Sequence, residues 1–271
     1  MIKGVVIPTI TPMNEDNSID DASLVNYTRF LLEAGVDPLY PNGTNGESLL
    51  LTKAEREHVA EIMARENNHC LPLYVQCGSM TTAETVSHSK HAVKIGADGI
   101  GIMSPAFFPM DDKALFLYYS DVISKLPEEF PVYIYNIPGC TTNDIKPALL
   151  KSLMGEFANI VGIKFSSSNL MRLEDYLEVS GRKPELLIGC DSLFFQCLVS
   201  GGAAKTQKKI VETDRKMAGI PGIPALKTLL KLRGIIRTDV CRMPLRPLTT
   251  EEKLTLEEIY SVYCKEERIY E

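Results

Sequence analysis

The sequence contains no tryptophan, only four histidines and no excess of positive charge: 29 lysines and arginines stand against 35 acidic residues, for a net charge of −6. Phosphate backbones demand a concentrated basic surface, so nucleic acid is not an expected partner. The most basic segment, from Lys227 to Arg237, is spaced along an amphipathic stretch and is expected to form a solvated helix face. No apolar run approaches the length of a membrane span. The opening residues lead straight into a strand-like run without a signal-peptide layout, and the seven cysteines form no C-x-x-C pair. Their apolar surroundings suit buried thiols in a reducing compartment, so a cytoplasmic location is expected. His58, His69, His88 and His91 lie in or near helical segments. His88 and His91 read as a surface pair, since no carboxylate or cysteine stands at metal-ligand spacing from them. Neither a G-x-S-x-G elbow nor a Walker-type loop is present.

What is present is alternation. Short apolar runs at 5–10, 38–41, 73–76, 99–103, 132–136, 160–165 and 186–189 read as strands, and the segments between them carry helical spacing, as in Leu24, Tyr27 and Leu31. Thr52 with Glu55, Thr81 with Glu84, and Thr249 with Glu252 match capping boxes. Gly35, Gly96 and Gly181 fall where helices should stop. Regular strand–helix alternation implies parallel strands joined by crossover helices. A nucleotide-binding open sheet would carry a glycine fingerprint after its first strand. Here Thr11-Pro12-Met13-Asn14-Glu15 follows instead, which favours the closed α/β barrel of the TIM (β/α)8 type. The barrel is expected over residues 1–204, with 205–271 as a C-terminal helical segment packed on it to form one structural unit. Such a barrel needs eight strands. After Ser200-Gly201-Gly202-Ala203-Ala204 the sequence passes at once to Lys205-Thr206-Gln207-Lys208-Lys209, so no β-like run exists where strand eight belongs.

Three motifs carry chemistry. In Ile160-Val161-Gly162-Ile163-Lys164-Phe165-Ser166, strict alternation would turn Val161, Ile163 and Phe165 toward the helices and Gly162, Lys164 and Ser166 into the barrel. Lysine is seldom buried without a reason, and barrel active sites lie at the C-terminal strand ends. Burial disfavours the charged form of an amine, and a neutral amine is what attack on a carbonyl requires. In Val132-Tyr133-Ile134-Tyr135-Asn136, both tyrosines share the face beside Lys164, where a phenol can pass a proton or simply fill the barrel. After strand two, Gly43-Thr44-Asn45-Gly46-Glu47-Ser48 can form a nest of backbone N–H groups for a small anion, or no more than a turn. The glycines at 201 and 202 lie where some barrels bind phosphate.

Together the Gly43-Thr44-Asn45-Gly46-Glu47 turn, the Tyr135-Asn136-Ile137-Pro138 strand end and Gly162-Ile163-Lys164 resemble the dihydrodipicolinate synthase / N-acetylneuraminate lyase family of class I aldolases. The likeness runs from about Gly4 to Ala203. It implies Lys164 as the Schiff-base nucleophile toward pyruvate or another 2-oxo acid and Tyr135 as proton relay. It also implies Thr44 and the backbone N–H groups of Thr44 and Asn45 at the substrate carboxylate, with Gly46 and Ser166 among the substrate-binding residues. The expected substrates are a small 2-oxo acid and an aldehyde or sugar. No metal or organic cofactor is implied, and a homotetramer or homodimer is. The resemblance carries departures. Asn45 stands where the synthases have a second threonine, Cys140 where they have an arginine for a second carboxylate, and Phe108 where they have a tyrosine. A cysteine cannot grip a carboxylate as a guanidinium does. Ser166-Ser167-Ser168 looks more like the sialic-acid lyases, although the same hydroxyls suit helix capping. The expected activity is therefore that of a sugar-acid lyase. The alternatives are dihydrodipicolinate synthesis, a catalytically silent 2-oxo-acid binder and a sugar-phosphate enzyme.

Overall fold

The computed structural model describes residues 4–190 and 215–263. Seven strands run in chain order: β1 (Ile7–Pro8), β2 (Leu39–Tyr40), β3 (Tyr74–Gln76), β4 (Gly99–Met103), β5 (Val132–Asn136), β6 (Ile160–Phe165) and β7 (Glu185–Ile188). β1 pairs with β2, β3 through β7 form one sheet, every pairing is parallel, and a Leu39–Leu73 bridge joins the two groups. Each strand neighbours the next in sequence. A doubly wound sheet reverses direction from a central strand, so this unbroken order is that of a barrel wall. The last and first strands have no strand between them among the described residues, and all four residues of β7 are only half-buried. The segment after Gly201, where the sequence shows no β-like run for strand eight, lies outside the described residues, as does the glycine pair at 201 and 202.

Helices α1 (Asp21–Glu33), α2 (Lys53–Asn67), α3 (Thr82–Lys94), α4 (Asp112–Ile123), α5 (Pro138–Thr141), α6 (Pro147–Glu156) and α7 (Leu170–Leu177) alternate with the strands. The Thr52 box is complete: Glu55 N–H donates to the Thr52 hydroxyl, and the Thr52 N–H donates to Glu55. The Thr249 box is complete as well. At Thr81 only half forms, because the Glu84 carboxylate accepts from Ser79 instead. Gly35 and Gly96 follow α1 and α3 at φ +66° and +74°, the left-handed conformation that ends a helix at least cost without a Cβ.

The core has two layers. Between strands and helices lies the large apolar cluster of Leu24, Val59, Met63, Ile100, Ile134, Ile163 and their neighbours. Inside the barrel a tyrosine layer of Tyr40, Tyr74 and Tyr133 packs with Val6, Val161 and Leu187. Gly101 makes room for it, since a Cβ there would stand 1.9 Å from the Tyr40 Oη. Val161 corrects the simple alternation. Val132 opposes Ile160 while Tyr133 opposes Gly162, so Val161 is bulged out of register and joins the inner layer. Ile163 and Phe165 do face the helices, buried in the outer cluster.

Three sequence expectations fail at this level. His88 is buried on the inward face of α3 with Thr85, Ser89 and Ala92, and desolvation, followed by the charges of Arg56, Lys53 and His91, pushes its pKa down to about 3. It is no surface partner of His91, whose ring contacts Glu61 at 2.8 Å. Of the five described cysteines only Cys77 is buried, while Cys70 and Cys140 are exposed. The basic segment at 227–237 is a solvated face only in part: Lys231, Arg233 and Arg237 are exposed, but Lys227 is not. Lys227, on α8 (Gly222–Leu232), is fully buried and ion-paired with Glu47, also fully buried. Removing one partner of such a pair costs about 3–5 kcal/mol.

That pair is part of a larger clamp between the C-terminal residues and the barrel. Arg237 grips Asp20 through two hydrogen bonds of 2.7 and 2.6 Å. Arg242 holds both Glu55 oxygens at 2.7 Å and also reaches the Leu50 carbonyl at 3.0 Å. Lys231 and Lys253, the latter on α9 (Thr250–Tyr263), meet at Asp239. The Arg242 hydrogen bonds hold the Glu55 carboxyl at about 2, below its ordinary 4.5. Burial opposes ionisation of Asp20, but Arg237 and Ser23 outweigh it and bring that carboxyl to about 2 from 3.8.

Both folded pKa values lie below the unfolded ones, so the stability these groups contribute is complete above about 4.5 and drains away as pH falls toward 2. Urea midpoints measured from pH 6 down to about 2.5 are expected to fall through that window. Arg242→Met is expected to flatten the slope. A slope unchanged in that variant would show that the clamp does not set the acid response.

Candidate functional site

A cavity of about 460 Å³ opens at the C-terminal ends of the strands, where barrels place their active sites. Its floor is polar, from Thr44, Asn45, Tyr135, Lys164 and Ser166, and its side toward β1 and β7 is apolar, from residues such as Val5, Val6 and Ile188.

Lys164 and Tyr135 are register partners on β6 and β5. Adjacent parallel strands hold such side chains next to each other on one face. The Lys164 Nζ stands over the Tyr135 ring, 3.6 Å from its centroid, and donates to the Ser166 Oγ at 3.2 Å. The Tyr135 hydroxyl in turn shares a 3.3 Å hydrogen bond with Thr44. Burial raises the Tyr135 pKa, but the charge of Lys164 and hydrogen bonds from Lys164, Thr44 and Ser166 outweigh it, so the phenol lies below its usual 10.0. Tyr40, where burial outweighs the charge of Arg56, and Tyr119 are pushed well above that value. A phenol with a depressed pKa next to an amine is a proton-transfer pair.

The turn after β2 supplies the other side of the floor. The N–H groups of Gly46, Glu47 and Ser48 close it by donating to Gly43 and Thr44 carbonyls. Those of Thr44 and Asn45 find no acceptor among the described residues, and both residues line the cavity. Two adjacent unpaired N–H groups with a hydroxyl beside them can hold a small carboxylate. Gly46 is a correction. Its N–H goes to Gly43, its carbonyl accepts from Thr11 at 2.9 Å, and it is not on the cavity wall. A Cβ there would come within 3.2 Å of the Thr9 carbonyl, so Gly46 is a packing glycine that lets the turn approach β1.

Two contributors escaped sequence reasoning. Tyr40 meets Tyr135 edge to face at 6.3 Å between centroids and keeps its own ring 5.6 Å from the Lys164 Nζ. Its place on the inward face of β2 was the available signal. Gly189 gives the amine its space: a Cβ there would stand 2.0 Å from the Ser166 Oγ and 3.2 Å from the Lys164 Nζ. Of the residues at the departures from the resembled pattern, Asn45 lines the cavity, while Cys140, exposed on α5, and Phe108, 63% exposed, lie outside its wall. Helix α7 is capped by Asn169, whose side chain accepts from the Arg172 N–H. That leaves Ser166 free for the cavity floor.

The dihydrodipicolinate synthetase family model matches residues 1–206. The chain belongs to that family. Its members are lyases of the class I aldolase type, and this chain is an enzyme of that class. A DapA-like lyase of Thermococcus onnurineus is 35% identical over 204 residues, covering 74% of this chain and 68% of the relative. One of Halobacterium salinarum is 31% identical, covering 94% and 92%. The 4-hydroxy-tetrahydrodipicolinate synthase of Bartonella bacilliformis is 28% identical, covering 93% and 95%. Among solved structures, YagE, a prophage protein of the family from E. coli K12 in complex with pyruvate, superposes with a TM-score of 0.89 at 24% identity, over 95% of this chain and 97% of that one. The barrel fold is therefore shared. The Halobacterium alignment spans 287 positions, more than the 271 residues of this chain, so that relative has residues without counterpart here. The family match ends at residue 206, next to the point where the sequence lacks a β-like run.

If Lys164 sets the Tyr135 titration, ring-labelled NMR will show Tyr135 losing its proton below 10.0 while Tyr40 keeps its own beyond that value. In Lys164→Met, burial acts with less opposition and the Tyr135 value moves up. A Tyr135 curve that ignores the substitution would refute the coupling.

Proposed function

We propose that this family member is a lyase that holds pyruvate, or the pyruvate half of a longer 2-oxo acid, as an imine on Lys164. It would cleave or form the carbon–carbon bond to a neutral, hydroxylated aldehyde such as the non-pyruvate half of a sugar acid. The observation that carries this reading is the single contact set of Lys164 Nζ over the Tyr135 ring at 3.6 Å and Thr44 on the same phenol at 3.3 Å.

In the cleavage direction the Lys164 amine adds to the keto carbon and the oxygen leaves as water with a proton from the Tyr135 phenol, giving an iminium and the Tyr135 phenolate. The phenolate of Tyr135 takes the proton of the hydroxyl on the carbon beyond the breaking bond. The bond electrons move into the iminium, which becomes an enamine, and the aldehyde departs. Tyr135 returns the proton to the enamine carbon, and water releases pyruvate from Lys164. A phenol held below its usual pKa is suited to both transfers. The imine nitrogen withdraws the electrons without any further electron sink. The carboxylate would lie against the N–H groups of Thr44 and Asn45, with Ser166 at the imine nitrogen.

The choice of a neutral aldehyde rests on charge. Among the described residues lining the cavity, Lys164 is the only cation, and Cys140 offers no guanidinium. A second carboxylate, as in dihydrodipicolinate synthesis, would have no counter-charge there. A homotetramer or homodimer is the assembly that the family resemblance supports.

Incubation with pyruvate followed by borohydride reduction is expected to add one covalent adduct, mapped to Lys164 and absent from Lys164→Ala. Tyr135→Phe should still be trapped but turn over about 10²–10⁴-fold more slowly. Folded protein that yields no adduct would overturn the imine.

A further inference from the structure

We propose that Lys227, although outside the cavity, is a positioning residue for the substrate carboxylate. It acts through its buried ion pair with Glu47 on the turn that carries Thr44 and Asn45. The ligand in this statement rests on the imine reading above.

Glu47 sits at the back of that turn. Its backbone is left-handed, at φ +57°, which a residue with a Cβ adopts only where surrounding contacts impose it. Its carboxylate is fully buried between two donors from the C-terminal segment, the Lys227 ammonium and the Arg242 N–H at 2.7 Å. Lys227 is itself fixed by donating to the Val240 carbonyl at 2.7 Å. Glu47 also closes the turn, with its N–H donating to the Thr44 carbonyl at 3.0 Å. The chain of contact is therefore short: Lys227, Glu47, Thr44, cavity.

A buried ion pair is a poor device for stability alone, because apolar residues of similar volume do as well or better. Its use lies in specifying one geometry. Here that geometry is the direction of two N–H groups that have no acceptor among the described residues. The C-terminal segment thus does more than cover the barrel. It sets the angle at which the turn meets a carboxylate.

The test compares wild type with Lys227→Met and with Lys227→Met/Glu47→Gln, the latter leaving no unpaired buried charge. Borohydride trapping is titrated with pyruvate and, separately, with hydroxyacetone, a ketone without a carboxylate. Both variants are expected to need about ten-fold or more additional pyruvate for half-maximal adduct, at unchanged maximal adduct. Half-saturation by hydroxyacetone should move less than about two-fold. Thermal melts report stability independently, and the double variant is expected to recover stability lost in the single one without recovering pyruvate affinity. Recovery of both, or equal shifts for the two ketones, would overturn the proposal by showing a purely structural pair. If wild type itself forms no pyruvate adduct, the imine reading falls, and amide exchange decides the positioning role. Faster exchange at Gly46, Glu47 and Ser48 in the double variant would support it, and unchanged exchange would overturn it.

Discussion

A lysine and a tyrosine on adjacent parallel strands, amine over phenol ring at 3.6 Å, form the contact around which the rest of the site is arranged. Neither group is placed by a loop. Both are register partners in the wall of a barrel, so their separation is fixed by the hydrogen-bond ladder between β5 and β6. The neighbouring features are conditions for that contact. Gly189 leaves volume for the amine, the Tyr40 edge limits the Tyr135 ring on one side, and Thr44 holds its hydroxyl on the other. The electrostatic consequence is a phenol whose proton is easier to remove than burial alone would permit.

The second constraint comes from far along the chain. Glu47, Glu55 and Asp20, all in the first quarter of the barrel, are each bound by a cation or N–H from residues 227–242. These contacts gather on the turn after β2 and the start of α1 and α2. The C-terminal segment therefore braces the half of the barrel that carries the turn of Thr44 and Asn45, whereas β7 at the opposite edge is only half-buried.

Much of this was legible in the sequence. The runs at 99–103, 132–136 and 160–165 match β4, β5 and β6 in full, because each is a buried apolar stretch bounded by turn residues. β1 and β2 are shorter than their apolar runs. Pro8, Pro38 and Pro41 have no N–H to give, and paired strands shorten where donors are missing. Lys164, Tyr135 and Thr44 were brought together by strand alternation and motif order, and they do meet. Val161 was not legible, because a bulge depends on the partner strand's register. Lys227 was not legible either. A lysine on an amphipathic helix reads as solvated until its partner is known, and Glu47 lies far away in sequence. His88 shows the same limit, since nothing local distinguishes the inward face of α3 at that position.

The proposed chemistry requires the Lys164–Tyr135 pair to remove and return a proton on the carbon next to an imine. Exchange of the pyruvate methyl protons in deuterium oxide, followed by NMR with no aldehyde present, measures that step and nothing else. The methyl signal is expected to be lost with the intact protein and retained with Lys164→Ala. A methyl signal that persists with folded wild-type protein and saturating pyruvate would contradict it.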